Sequence, residues 1–292
     1  MGVPKFAVPS ADLWDWGNTV NWSLTDGGAS GAAVPVSTDD AYVKQGSYSL
    51  GPSNLNQSAV TLNSLNILGG LGGTRSGLLF PSGSSPLQIN ATTLNIQSER
   101  VSRISLSGVF TTIDVKQLRS GELYLSGGSV TSFYGGSSGF AQIGDDVEAT
   151  LIHSAGMGLE ILADASAAGD LEIVASRGAR ITCARKLSTG VIEGHLTLKD
   201  AASIAISAGS TNVVVGNGGV LVLNSSGALG IIKALTGSRV TSKGMPGFAT
   251  APVLTTLLYH ANSQIDVPKG SLTITNQTPV GDYDSNNSAP TA

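Results

Sequence analysis

Along Leu171 to Gly244 apolar positions recur with a period of about 25 residues: Leu171, Leu196 and Leu221; Ile173, Leu198 and Leu223; Ile181, Ile206 and Ile231; with glycines at Gly194, Gly219 and Gly244. A period of this length, built from short apolar runs between small-residue corners, is the signature of a solenoid in which each repeat is one turn. Within one period, His195 to Leu198, Ser203 to Ile206 and Asn212 to Val215 are too short for helices and alternate apolar with polar, so they predict strands with one face inward. The expected fold is all-β, a right-handed parallel β-helix with about 25 residues and three short strands per coil. Leu171, Leu196 and Leu221 are expected to form one core ladder and Ile181, Ile206 and Ile231 another, with neighbours about 4.8 Å apart.

Strand signals continue on either side. They include Val60 to Leu62, Leu65 to Leu68, Leu87 to Ile89, Leu94 to Ile96, Ile104 to Leu106, Leu123 to Leu125, Ala141 to Ile143, Thr150 to Ile152 and Leu159 to Leu162. Residues 69 to 86, rich in Gly, Pro and Ser, predict a projecting loop. After Gly244 the repeat is expected to fail at Met245 to Phe248, with Val253 to Tyr259 as a short helix or longer strand closing the C-terminal end. The predicted organisation is an N-terminal arm and Trp-rich module over 1–50, a β-helix shaft over 51–244, a closing segment over 245–280 and a polar tail over 281–292. At about 25 residues per coil, residues 50 to 275 would make roughly nine coils, about 40 to 45 Å long.

Composition narrows the functional classes. Charged residues are 12% of the chain and glycines number 38 of 292, so Ser, Thr and Asn fill the polar places, as suits stacked surfaces on which a column of like charge would repel itself. The net charge of −4 and the lack of a Lys/Arg block interleaved with aromatics give no footprint for nucleic acid. The single cysteine, Cys183, excludes an intrachain disulfide and reads as a small buried hydrophobe. No apolar run has the length of a signal core or of a membrane span, so the expectation is a protein made in the cytoplasm without a classical leader.

Candidate chemistry is sparse. β-Helices that cleave polysaccharide set carboxylates in pairs, but the neighbours Asp39-Asp40 and Asp145-Asp146 would point to opposite faces of an extended chain and read as turn residues. Glu193 and His195 would share a face only if the strand ran straight through Gly194, which is a corner position, so a solvated pair is expected. His153 and His260 are isolated, and no His/Cys/Asp/Glu spacing fits a metal. Val215-Gly216-Asn217-Gly218-Gly219-Val220 has no carboxylate for a calcium roll, and no Gly-rich run opens a helix to cradle phosphate. Catalytic, metal and cofactor sites are therefore all expected to be absent.

All three tryptophans fall before residue 50. The run from Trp14-Asp15-Trp16 through Asn21-Trp22-Ser23, Gly27-Gly28, Gly31, Val34-Pro35 and Asp39-Asp40-Ala41-Tyr42-Val43 has the pattern W...NWS...GG..G..VP...D. It resembles the opening module of β-solenoid proteins of tailed-bacteriophage virions and of some bacterial surface proteins. Its large rings suit an open coil end, which must be covered because a bare sheet edge invites aggregation. The resemblance implies a non-enzymatic virion protein, a capsid decoration (cement) or head-fibre protein that binds the major capsid protein, and a homotrimer. Trp14, Trp16, Trp22, Pro35 and Tyr42, with the arm Gly2 to Leu13, are the expected capping and partner-binding residues. The alternative is a tail fibre or tailspike that binds or degrades host surface polysaccharide, meeting sugar on the loops Gly69 to Pro86 and Phe133 to Gly139 through Tyr134 and Phe133. A surface-adhesin fragment is a third reading. Neither nucleic acid nor membrane is an expected partner.

Overall fold

A computed structural model of the chain describes residues 2–8, 16–43, 57–68, 86–98, 103–119, 121–164, 171–206, 211–242, 253–267 and 273–280. Trp14, the arm residues 9–13, the loop over 69–85, the stretch 245–248 and the tail 281–292 lie outside them. Apart from a single 3-10 turn at Thr19–Asn21, the described regular structure is all β, and most of the pairing is parallel, which makes the fold a parallel β-solenoid. The chain forms two compact units, Met1–Ala149 and Thr150–Ala292.

In the first unit the strands Asp40–Val43, Gln57–Leu68, Leu87–Ser98, Arg103–Leu118 and Glu122–Gly135 pair in parallel succession. Alternation decides which side chains enter the core. Ala41, Leu65, Leu94, Ile113 and Phe133 stack in one buried column, while Leu62, Ala91, Phe110 and Val130 stack in another. The outward positions between them carry Asp40, Ser64, Thr93, Thr112 and Ser132, and beside these Tyr42, Asn95, Asp114 and Tyr134, while Asn66 in that second row is buried. Here the expected short strands are fused: Val60 to Leu62 and Leu65 to Leu68 belong to one strand, as do Leu87 to Ile89 and Leu94 to Ile96. The chain turns from one face to the next inside the strand. Gly108 and Gly128 lie side by side at such a bend, next to a register shift, and Gly128 has φ +98°. A Cβ on Gly108 would sit 1.8 Å from the Ile89 carbonyl oxygen, so only glycine permits the approach.

The Asp39-Asp40 pair is a turn device, as its spacing predicts. The buried Asp39 carboxylate accepts from the backbone N–H of Val3 and of Val36, each at 3.1 Å. Asp40 points the other way, and its Oδ1 accepts from Asn63 Nδ2 at 2.7 Å and Ser64 Oγ at 2.6 Å. Asp145 and Asp146 are likewise exposed turn residues after the strand Phe140–Ile143.

In the second unit one sheet stacks Ile152, Ile173, Gly190, Val213, Ile232 and Leu257. The other stacks Leu159, Ile181, Leu196, Leu221, Val240 and Ile265. The steps in this second column are unequal: the chain from Ile181 to Leu196 is much shorter than that from Leu196 to Leu221, so coil length varies while register holds. The coil from His195 does have the three expected strands, His195–Asp200, Ser203–Ile204 and Val213–Val215.

The expected ladders need correction. Leu196 and Leu221 are neighbours, but Leu171 lies on the other sheet, where it meets Leu187, and Leu187 meets Ile204. Leu196 instead follows Ile181. Ile206 is not a core residue: it lies past the end of its strand and is 63% exposed, while Ile204 is buried. Ile231 is half-buried opposite Thr256, and its neighbour Ile232 takes the core place. The physical reason lies in Asn212, whose Oδ1 accepts from Ile231 N–H at 3.2 Å while its Nδ2 donates to the Ser188 carbonyl at 3.2 Å, fixing which isoleucine faces in. Parallel pairing also continues past Gly244. Val253–Tyr259 is a strand between Leu229–Ala234 and Thr273–Pro279, and it buries Leu254, Leu257 and Tyr259, of which only Leu257 and Tyr259 follow the two-residue alternation.

Candidate functional site

Among the described residues of the opening module, both tryptophans are interior. Trp16 and Trp22 are buried, with ring centroids 4.7 Å apart in an edge-to-face contact, and Trp22 Nε1 donates to the Trp16 carbonyl at 2.9 Å. Pro35 is buried and Tyr42 half-buried, its ring stacked on Phe6 at 4.9 Å. Strand Pro4–Ala7 lies between Asp40–Val43, to which it is parallel, and the two-residue strand Trp22–Ser23, to which it is antiparallel. The described rings therefore hold the module together, and among the described residues the large apolar side chains exposed here are Val3, Val20, Leu24 and Val36, a set that no spacing rule singled out.

Phe133 is also buried, in the column behind Ile113, so it cannot stack on a sugar; Tyr134, next along the strand, is 39% exposed. Cys183 stands in the core between Ile161 and Leu198 and accepts from Arg185 N–H at 3.4 Å. Burial pushes its thiol up to about 11, the opposite of what a reactive cysteine requires. Arg185 is buried too: its Nε donates to the Leu162 carbonyl at 2.7 Å and its Nη1 lies 3.8 Å from Asp164 Oδ2. His153 shares a 3.1 Å hydrogen bond with Ser176 Oγ. His260 keeps its Nε2 buried. Among the described residues no three His, Cys, Asp or Glu side chains converge as a metal site would need, and no helix is long and apolar enough to cross a membrane.

An open groove of about 750 Å³ lies on the outside of the second unit, across three successive corner turns. The first corner contributes Arg177, Gly178, Ala179 and Arg180, the second Glu193, Gly194 and His195, the third Asn217, Gly218 and Val220. Parallel register brings them together: Arg180 stands beside His195, and His195 beside Val220. The corners are close because glycine lets them be. A Cβ on Gly194 would lie 2.4 Å from the Ser176 carbonyl oxygen, and the Glu193 stem passes over Gly216, where a Cβ would come within 3.2 Å of Glu193 Cγ. His195 shares a 3.1 Å hydrogen bond with Thr197 Oγ1 on its own strand. Gly194 separates Glu193 from His195 as a bend, as its corner position predicts, while Asn217 and the two arginines join them from turns that look ordinary in sequence.

No family model matches the chain, and neither a curated protein nor a solved structure shows significant similarity to it.

Proposed function

We propose that the chain is a non-enzymatic structural protein of a tailed-phage virion, a capsid decoration or head-fibre protein that assembles as a homotrimer on the major capsid lattice. The observation that carries this reading is the stacking of buried aliphatic columns behind outward columns that hold little charge, such as Ser64, Thr93, Thr112 and Ser132. Within each unit a coil is bonded to the next along its length, a construction suited to a stiff stack rather than to a hinged enzyme. In this reading the winding is right-handed, the hand that parallel crossovers favour. The tryptophan module closes the N-terminal end, since Trp22–Ser23 is too short an edge to recruit a further strand. Val20, Leu24 and Val36 form the apolar part of the partner surface. In this reading the protein belongs to the virion and needs no cofactor.

Mixing the purified protein with intact phage-like capsids, pelleting them and counting copies by cryo-electron microscopy tests the proposal. Hundreds of copies at symmetry positions of the shell support it, and absence from the pellet defeats it. A few tens of copies at the tail would favour the second reading, a glycan-binding tail fibre, for which the exposed Tyr134 and the outer groove speak.

A further inference from the structure

The groove is lined by polar side chains that are not spent on one another. Among the described residues Arg177 and Arg180 hold no ion pair, whereas Arg185 pairs with Asp164 and Arg239 with Asp266. Glu193 and Asn217 likewise make no side-chain hydrogen bond there. Arg177, Arg180, Glu193 and Asn217 are all exposed, so they face the open groove or solvent. Two guanidinium groups against one carboxylate give the groove a positive balance on a chain whose net charge is −4. Its three corners succeed one another at strand spacing, so it extends about 10 Å along the solenoid.

These groups specify a ligand. Each guanidinium presents a planar fork of donors that matches a carboxylate. Glu193 accepts from hydroxyls, and the Asn217 amide both donates and accepts. A DNA strand fits less well, since its phosphodiester backbone offers no hydroxyl from which Glu193 could accept, whereas a sugar chain does so at every residue. We infer that the groove over the corners at Arg177, Glu193 and Asn217 binds a linear acidic glycan, its carboxylates on Arg177 and Arg180 and its hydroxyls on Glu193 and Asn217. The site goes beyond the structural role and does not depend on it, because the capsid count and glycan binding are independent measurements.

The test titrates the full chain, by fluorescence polarisation, with end-labelled oligomers of galacturonate, glucuronate and sialate, and with methyl-esterified oligogalacturonate, maltotetraose and single-stranded DNA of similar length. At least one carboxylated oligomer is expected to bind, and the esterified and neutral chains about tenfold or more weaker, as loss of a charge-assisted fork implies. The Arg177→Ala/Arg180→Ala pair is expected to lose binding by a similar factor, and Arg119→Ala, an exposed arginine outside the groove, to retain it. Failure of all three carboxylated oligomers to bind, equal binding by the double arginine variant, or tighter binding of DNA than of any glycan would overturn the assignment. Both arginines are exposed, so circular dichroism of the double variant should match that of the parent.

Discussion

Ile181 lies beside Leu196 in the next coil, and Leu196 lies beside Leu221 in the one after, although the second stretch of chain is far longer than the first. Both steps place one aliphatic side chain against the next, because parallel pairing demands register between strands and places no demand on the length of the corner that joins them. The core is thus a property of the strands, and the corners are free to vary and to carry a site.

The first consequence concerns which isoleucines matter. Leu196→Ala should cost about 2 to 5 kcal/mol, since it empties a place in a fully buried column. Ile206→Asp should stay within about 0.5 kcal/mol of the parent, because the side chain already faces water. Urea midpoints measure both, and an Ile206→Asp variant that unfolded as readily as Leu196→Ala would refute the core described above.

At the bend of the first unit, Gly128→Ala is expected to destabilise by about 2 kcal/mol or more, combining left-handed backbone with a Cβ placed 1.9 Å from the Gly108 carbonyl oxygen. Gly27→Ala, also at positive φ but with open space around it, isolates the backbone cost at about 1 kcal/mol. Equal losses in the two variants would mean that the bend tolerates a side chain.

Cys183 makes stability depend on alkaline pH. Its folded pKa is raised from 9.0 to about 11, so the unfolded chain gives up the proton first, and stability present below pH 9 is lost as pH rises from 9 towards 11. The loss should approach about 2 to 3 kcal/mol, and Cys183→Ala should flatten that part of the profile. The native thiol should also resist alkylation at pH 8 until the chain unfolds; rapid labelling of the folded protein would contradict its burial.

Asp164→Asn should destabilise the second unit by about 3 kcal/mol, by removing the carboxylate that lies 3.8 Å from the buried Arg185 guanidinium. Replacing both partners, Arg185→Met with Asp164→Leu, should recover much of that loss, since no uncompensated charge then remains buried. A double variant as unstable as Asp164→Asn would assign the effect to the Leu162 carbonyl that Arg185 satisfies.

Much of the architecture was legible in the residues. Strict alternation through His195 to Leu198 reads as a strand with one face inward, and that coil has its three strands where the pattern puts them. Asp39-Asp40 reads as a turn because neighbours in extended chain diverge, and the two carboxylates do bond in different directions. The fused strands were not legible, because the bends at Gly108 and Gly128 lie within strands, and a glycine in sequence looks the same at a bend as at a break.

By itself the sequence determined the class of structure: short alternating apolar runs, glycine corners and few charges leave a stacked parallel sheet as the way to bury those side chains. Only the tertiary structure decided the register. Where apolar residues adjoin, as at Ile231-Ile232, alternation admits two phases, and the neighbouring coil selects one through a bond such as that from Ile231 N–H to Asn212. Ile204 and Ile206 share a phase, and they part because the strand ends at Ile204. The groove is likewise a product of register. Arg180 opens a strand while Glu193 and Asn217 lie at bends or turns before the strands of later coils, and they share a surface because those strands pair at Arg180 with His195 and at His195 with Val220.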